Sequence, residues 1–194
     1  MSGSDRTTPA QPAVKLTYDD FVLFPDDGKR HELIDGEHYV SPSPIPRHQQ
    51  ILGMLHGFLW SYLQEHPIGK LFPSPLDVLF SDLDVVEPDL LYMSHARAAQ
   101  VLTPTHVRGV PELVVEIASP STRTRDETIK RRLYERFGVT EYWVVDPELD
   151  VIRVYRLDGD HFARAVELSR ELGDALTTPL LTGLTLPLER IFQE

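Results

Sequence analysis

Residues 111–147 read PELVVEIASPSTRTRDETIKRRLYERFGVTEYWVVDP. The runs Leu113–Ile117 and Tyr142–Val145 are short, apolar and rich in β-branched residues, which is typical of buried strands. Between them, Thr124-x-x-Glu127 has the form of a helix capping box. Apolar residues follow it at helical spacing: Ile129, Leu133 and Phe137. The segment is therefore predicted to form a strand, a helix and a second strand.

Glu116 lies inside the first of these apolar runs, where a carboxylate is costly to bury unless a positive group meets it. Because side chains alternate along a strand, Glu116 should point away from the face that Val115 and Ile117 share. The carboxylate either meets solvent or a salt-bridge partner, or it is a metal ligand. The metal hypothesis requires other carboxylates to converge on the same place.

Composition restricts the classes of protein to which the chain can belong. Its 194 residues suffice for one domain with a substantial core. The absence of cysteine excludes disulfide frameworks and cysteine nucleophiles, and it favours a cytoplasmic location. The polar start, Met1–Pro12, has no signal-peptide core, and no stretch is long and apolar enough to span a membrane.

The charge distribution is uneven. A net charge of −11 argues against a protein that coats nucleic acid, but it is compatible with an enzyme that holds divalent cations among carboxylates. Basic residues are concentrated just after the first predicted strand: Arg123, Arg125, Lys130, Arg131, Arg132 and Arg136. This run is either a solvated helix face or a rim facing nucleic-acid phosphates, for which Arg123, Arg125 and Arg131 are the candidates.

The first third of the chain contains four local signals. Residues 1–14 are rich in Ser, Thr, Pro and Gln and are predicted to be a disordered tail. A short helix is expected after Thr17, and Asp35-Gly36 predicts a β-hairpin. Apolar residues at helical spacing predict an amphipathic helix from Arg47 to about Glu65. His48, at its start, either faces a site or caps and packs the helix.

Strands are predicted at Leu71–Phe80 and Val85–Met93. The second contains Pro88, which implies an edge, a bulge or a strand start. Asp89 follows Pro88 directly and is a second carboxylate beside an apolar run. The C-terminal part, residues 150–194, is predicted to be a β-rich extension of one domain that covers residues 15–194.

Within that extension, Asp158-Gly159 predicts a hairpin whose returning strand is Phe162–Leu168. Residues Leu176–Phe192 contain Pro and Gly at intervals and are predicted to form short irregular strands.

Asp89, Glu116 and Lys130 together suggest a metal site. Mg²⁺ takes one or two carboxylates, keeps several waters and uses substrate phosphates as further ligands. A nearby ammonium can orient or deprotonate the attacking water and stabilise charge that develops on phosphorus. The spacing equally allows Lys130 to form an i, i+4 ion pair with Asp126.

Six motifs then occur in order along the chain. They are Glu32-Leu-Ile-Asp-Gly-Glu37, His48 after a Pro-rich connector, Glu87-Pro-Asp89-Leu-Leu-Tyr92, Val115-Glu-Ile-Ala-Ser-Pro-Ser-Thr122, Asp126-x-x-x-Lys130-x-x-x-Tyr134 and Gly138-Val-Thr-Glu-Tyr-Trp-Val-Val-Asp-Pro147. Together they resemble the Uma-type endonucleases, a branch of the PD-(D/E)XK restriction-endonuclease-like superfamily. The resemblance extends from about Tyr18 to Phe162.

This resemblance implies an α/β (α+β) fold with a mixed central β-sheet, flanking helices and added β-hairpins. It implies a metal-dependent endonuclease with Mg²⁺, or Mn²⁺, as cofactor. The expected substrate is nucleic acid, DNA rather than RNA. A homodimer is expected as well, because a duplex has two strands to cut.

The resemblance also assigns roles to residues. Asp89, Glu116 and the backbone carbonyl of Ile117 would hold the metal. Lys130 would be the catalytic lysine, and Glu32 would be an acidic residue at the edge of the site. Supporting positions would be His48, Asp126 and Tyr134. Ala118 stands where the superfamily pattern has its lysine, so Lys130 on the following helix is the natural candidate.

Three other functions remain open from the sequence. The chain could be a nuclease fold that only binds nucleic acid or protein, with a degenerate site. It could be a metal-free hydrolase with paired carboxylates, as in glycosidases, with Trp60 and Trp143 as sugar platforms, although both lie in apolar runs typical of a core. It could be a partner-binding module whose exposed hairpins form an oligomer interface.

Overall fold

A computed structural model describes residues 14–120 and 122–193. The predicted tail lies outside the described residues, apart from Val14. The strands are β1 (Arg30–Ile34), β2 (Glu37–Ser41), β3 (Gly69–Pro73), β4 (Val78–Ser81), β5 (Asp84–Val86), β6 (Leu90–Ser94), β7 (Val107–Arg108), β8 (Leu113–Ile117), β9 (Glu141–Asp146), β10 (Val151–Asp158), β11 (His161–Phe162), β12 (Val166–Ser169), β13 (Ala175–Leu176) and β14 (Leu186–Pro187). The helices are α1 (Tyr18–Phe21), α2 (Pro46–Glu65), α3 (His95–Val101), α4 (Arg123–Arg125), α5 (Arg131–Phe137) and α6 (Leu188–Ile191).

The larger sheet has the order β11-β10-β9-β8-β6-β3, with β12 also paired to β10. Its β8 and β9 run parallel, whereas β6 pairs antiparallel with β8 and β10 pairs antiparallel with β9. A parallel pair needs a crossover connection. The crossover here consists of α4, a π-helical turn at Asp126–Lys130, and α5. We call this segment, 123–137, the site helix. The predicted mixed sheet and its strand–helix–strand unit are confirmed.

The smaller sheet has the order β2-β1-β5-β4-β7. Its β1–β2 hairpin turns at Asp35 and Gly36, both with positive φ (52° and 73°), as a two-residue hairpin turn requires. The predicted hairpin is confirmed. It places Glu32 in the middle of β1, opposite Tyr39 of β2.

The two faces of β8 bury different parts of the chain. Leu113, Val115 and Ile117 belong to the core that includes the inner face of α2, whereas Val114 packs with the apolar side of the site helix. The alternation predicted for this strand is therefore observed. Glu116 points toward the site helix.

The predicted strands at 71–80 and 85–93 are each two strands in different sheets, which corrects both predictions. Proline cannot donate a ladder hydrogen bond, and Pro75 and Pro88 lie in the two interruptions. Asp89 accordingly lies in the short link between β5 and β6, immediately before β6 begins.

The start of the site helix also differs from the prediction. The helix begins at Arg123, and Thr124 lies inside it, where its carbonyl oxygen accepts a hydrogen bond from the Thr128 hydroxyl. Ile129, predicted to face the core, is 37% exposed. The wide π-helical turn places Lys130 on the buried side instead, so an ideal helical repeat does not describe this segment.

The C-terminal part is more irregular than predicted. The strand expected at 162–168 is divided into β11 and β12, which both pair with β10. The short strands β13 and β14 pair with each other, but α6 was not anticipated, and its Leu188 and Ile191 are buried in the core beside α2. None of the helices within residues 14–120 and 122–193 combines the length and apolar character needed to cross a membrane.

Candidate active site

A cavity of about 630 Å³ lies where α2, β8, the β5–β6 link and the site helix meet. Predicted site residues that line it are His48, Asp89, Glu116, Ile117, Arg125, Asp126 and Lys130. Glu32 and Tyr134 are fully buried and contact this group through Lys130 and Glu116. Residues far apart in the sequence therefore converge on one place.

Asp89 is held by three donors. The backbone N–H of Ile117 donates to Oδ2 at 2.7 Å, and His48 Nε2 lies 3.1 Å from the same oxygen. Arg30 donates to Oδ1 at 2.8 Å. Burial opposes ionisation, but the hydrogen bond from His48 and the charge of Arg30 outweigh it and hold the pKa of Asp89 well below its ordinary range. Asp89 is therefore a fixed, ionised carboxylate.

Glu116 meets the site helix through a single oxygen. Lys130 Nζ donates to Glu116 Oε1 at 2.8 Å, and the Tyr134 hydroxyl donates to the same atom at 2.6 Å. Residues four apart on a helix project in the same direction, so both side chains reach one acceptor. Oε2 of Glu116 has no hydrogen bond to any described residue, and Glu116 lines the cavity.

Lys130 is 1% exposed and bridges two carboxylates, with its Nζ 2.7 Å from Glu32 and 2.8 Å from Glu116. These ion pairs, rather than one with Asp126, are the ones that Lys130 makes among the described residues. The charges of Glu116, Glu32 and Asp126 outweigh its burial and raise its pKa above the ordinary lysine value. Lys130 therefore remains an ammonium at neutral pH.

Glu32 is the deepest carboxylate of the group. Its Oε1 faces Lys130 and also accepts from the backbone N–H of Glu87 at 3.1 Å. Its Oε2 is buried without a hydrogen bond to any residue that the structure describes and lies 3.6 Å from Arg125. Burial alone would raise its pKa, but the charges of Lys130 and Arg125 lower it below the ordinary value. Arg125 is itself fixed, since it donates to Ser41 and lies over the Tyr39 ring.

Negative charge is in excess in this cluster. Four buried carboxyl groups, Glu32, Asp89, Glu116 and Asp126, face the cations Arg30, Arg125 and Lys130. Burial, and then the neighbouring carboxylates, raise the pKa of Glu116 to about 8, although Lys130 opposes the change. Burial likewise raises the pKa of Asp126 to about 6. Without a further cation, Glu116 therefore retains a proton near neutral pH.

This retained proton predicts a pH dependence of stability. Folded Glu116 binds a proton between its ordinary pKa of 4.5 and about 8, where the unfolded residue does not, so its contribution to the free energy of unfolding falls as pH rises through that window. The change is at most about 1.4 kcal/mol per pH unit. In Glu116→Gln this contribution should disappear, whereas that of Asp126, confined to lower pH, should remain. The measurement is urea unfolding of both proteins in chelator from pH 5 to 8. The free energy of unfolding of the wild type should fall relative to that of Glu116→Gln as the pH rises. A difference between the two proteins that stays constant with pH would contradict this prediction.

The donor set is compatible with magnesium. No group of three or more His, Asp or Glu side chains within the described residues is arranged to hold a metal ion. Mg²⁺ does not need such a group, because one or two carboxylates suffice when waters and phosphate complete its shell. Asp89 and Glu116 supply oxygen ligands, and the N–H of Ile117 ties the Asp89 carboxylate to the residue that follows Glu116. The excess negative charge and the unbonded Oε2 of Glu116 fit a hard divalent cation.

The predicted rim arginines have different surroundings. Arg125 lines the cavity, whereas Arg123 pairs with Asp146 and Glu148 away from it. Arg131 lies over the Tyr155 ring, also away from the cavity. Their role as a rim remains a prediction.

Two basic residues that line the cavity, Lys29 and Arg30, were not predicted from the sequence. Arg30 lies two positions before Glu32, so the alternation of β1 would have placed both on the same face. Nothing local distinguishes it from an ordinary charged residue at a strand start. The cavity wall also includes four Ser-Pro pairs, a sequence pattern typical of connecting segments: Ser41-Pro42, Ser43-Pro44, Ser74-Pro75 and Ser119-Pro120.

The two tryptophans differ from each other. Trp143 is fully buried and donates to Glu141, as expected of a core residue. Trp60 is 48% exposed and stacks on His56, which corrects its assignment to the core; Leu59 and Leu63 occupy the inner face of α2 instead. Neither tryptophan lines the cavity, so neither is placed to serve there as a sugar platform.

Comparison with known proteins identifies the family and the fold of the chain. The model of the Uma2 family, described as "Putative restriction endonuclease", matches residues 18–189. The fold is similar to a solved structure described as a "putative nuclease belonging to DUF820" from Anabaena variabilis, with a TM-score of 0.77 and 21% identity over 91% of this chain and 97% of that one. No curated protein matches. Since the family match covers most of the sequence, the chain belongs to the Uma2 restriction-endonuclease family.

Proposed function

We propose that this protein is a divalent-metal-dependent endonuclease that hydrolyses phosphodiester bonds of nucleic acid, with DNA as the expected substrate. Membership of the Uma2 family supports nuclease activity. The observation that carries the finer proposal is the convergence of Asp89, Glu116 and Lys130 on one cavity. Lys130 contacts Glu116 directly, and Asp89 is bonded to the residue that follows Glu116.

Asp89, Glu116 and the carbonyl of Ile117 would hold the metal. When bound, Mg²⁺ polarises a scissile phosphate and lowers the pKa of a bound water. The protein contributes preorganisation. His48 and the Ile117 N–H fix the Asp89 carboxylate, and Lys130 holds one oxygen of Glu116, a residue that lines the cavity.

Lys130 acts through its charge in this proposal. Because its pKa is raised, it is a poor base, and proton removal from water by its amine is disfavoured. An ammonium in a water-poor site stabilises negative charge that develops on phosphorus. The Lys130 ammonium is held by its ion pair with the buried Glu32, and Glu32 in turn lies close to Arg125. The water oxygen bonds to phosphorus as the ester P–O bond breaks; the attacking water gives up one proton to solvent, and the leaving oxygen takes one up from solvent.

The direct test is a cleavage assay. Purified protein is incubated with labelled single- and double-stranded DNA and RNA, and with covalently closed circular DNA, in Mg²⁺, Mn²⁺ or chelator. We expect cleavage of the DNA substrates with either ion and none in chelator, and conversion of closed circles to nicked or linear forms would show internal cutting. Cleavage that persists in chelator would contradict metal dependence, and cleavage of RNA alone would overturn the choice of DNA.

A nuclease fold used only for binding is the second candidate. One observation favours it: both proposed metal carboxylates already have cationic partners, Arg30 for Asp89 and Lys130 for Glu116. Titration calorimetry separates the two functions, because a binding module would retain nucleic acid without taking up Mg²⁺ or Mn²⁺. The proposed homodimer would be tested on the same samples by light scattering.

A further inference from the structure

We propose that Arg30 is an internal counter-cation that occupies the place of the divalent cation beside Asp89, and that cation binding displaces it. The inference rests on the metal site of the proposed function. It concerns a residue to which neither the family resemblance nor the proposed function gives a role. Its consequence is that Arg30 sets the affinity of the site for metal.

The position of Arg30 is the first argument. Its Nη2 lies 2.8 Å from Asp89 Oδ1, and its Nε lies 3.0 Å from Glu87 Oε1. The other oxygen of Asp89 is already occupied by His48 and by the Ile117 N–H. Oδ1 is therefore the Asp89 oxygen left for a metal, and Arg30 covers it.

Charge is the second argument. The Arg30 side chain is 18% exposed, the residue lines the cavity, and its charge interacts with Asp89, Glu116 and Glu32. Glu32 and Asp89 are the ionised carboxylates of the cation-free site, and Arg30 offsets part of their negative charge. A divalent cation bound at Asp89 and Glu116 would meet the Arg30 charge at short range, where repulsion is strong. The two cations therefore compete for one carboxylate.

The chain offers a matched control in the neighbouring residue. Lys29 lines the same cavity, but its side chain is 56% exposed and pairs with Asp27 at 3.2 Å. Removal of Lys29 takes away the same formal charge from the same cavity without uncovering Asp89. A general effect of cavity charge and a specific effect at Asp89 can thus be separated.

The experiment is calorimetric titration of the full chain with Mn²⁺ and Mg²⁺, without nucleic acid. We compare wild type, Arg30→Met, Arg30→Lys and Lys29→Met. Arg30→Met should bind Mn²⁺ about tenfold or more tightly than wild type, and Lys29→Met should change the Kd less than about threefold. Arg30→Lys keeps the positive charge but lacks the planar guanidinium that contacts Glu87 and Asp89 together. Its affinity for Mn²⁺ is therefore expected to lie between those of wild type and Arg30→Met. Arg30→Lys also serves as the test if Arg30→Met does not fold, which circular dichroism would show.

The outcomes separate this inference from the proposed function. The inference is supported if Arg30→Met binds the ion more tightly than wild type, or if Arg30→Lys does so when only that variant folds. It is also supported if an Arg30 variant binds the ion and wild type does not. Unchanged or weaker binding by the variants, while wild type binds, overturns it and leaves the metal-dependent nuclease intact. If none of the proteins binds either ion, the inference fails, and the cleavage assay in metal and in chelator decides the proposed function separately.

Discussion

Substitution of Glu116 by glutamine is expected to reduce metal-dependent cleavage by about a thousandfold or more. A metal acting on a phosphate supplies several kcal/mol of transition-state stabilisation, and about 4 kcal/mol corresponds to a thousandfold in rate. Glutamine preserves the volume of the side chain and an oxygen for Lys130 and Tyr134. It removes the negative charge that the metal requires. Metal binding to wild type would displace the proton that Glu116 retains, whereas an amide has no such charged form.

The measurement is the single-turnover rate of DNA cleavage at saturating Mg²⁺, with circular dichroism to confirm the fold. Glu148→Gln is the matched control, because it is the same substitution at an exposed carboxylate whose partner, Arg123, lies away from the cavity. This control should cleave at the wild-type rate. A folded Glu116→Gln protein that retains more than a tenth of the activity would remove Glu116 from the proposed metal site.

Replacement of Lys130 by methionine is expected to have the largest effect on stability. Its ammonium is enclosed between Glu32 and Glu116, and removal of one partner from a buried ion pair leaves an uncompensated charge. Such changes lower the free energy of unfolding by about 3–5 kcal/mol. The loss should be partly recovered in the double variant Lys130→Met/Glu32→Gln, since the orphaned Glu32 charge is then removed as well.

Urea denaturation at pH 7 without divalent cation measures this effect. Lys29→Met provides the exposed counterpart, because surface ion pairs are worth at most about 1 kcal/mol. If Lys130→Met loses no more stability than Lys29→Met, the bridge between the two glutamates is not a structural element of the fold. If the double variant is no more stable than Lys130→Met, the loss has a cause other than the uncompensated Glu32.

Part of the candidate site could be predicted from the residues alone, because two carboxylates stand beside apolar runs, whereas the roles of Glu32, His48 and Tyr134 entered through the family resemblance. Glu116 is a carboxylate in a run of β-branched residues, and Asp89 follows a proline that implies an edge, a bulge or a strand start. Each is costly to bury unless the fold provides a partner, so each signals a site. The strand–helix–strand unit was equally clear, because its hydrophobic runs are short and separated by a helical pattern.

The remaining features depend on contacts that no local pattern encodes. The division of 71–80 and 85–93 into strands of two sheets reflects pairing partners far away in the sequence, such as Leu33 with Val85 and Leu90 with Val115. The burial of Lys130 in place of Ile129 follows from the π-helical turn, which departs from the ideal repeat. The position of Arg30 is set by Asp89, which lies 59 residues further along the chain.

The π-helical turn at Asp126–Lys130 has one more consequence. Each residue of a regular helix advances the side-chain direction by about 100°. Loss of one residue from this turn would therefore rotate everything before it relative to everything after it, and Lys130 and Tyr134 could no longer meet Glu116 while Arg125 still faced Glu32. The spacing between Arg125 and Tyr134 is thus as strict a requirement as the identity of the side chains. A relative of this protein could keep every motif residue and still differ by a single insertion or deletion in this turn. It would then have the residue types of the site but not their spatial arrangement.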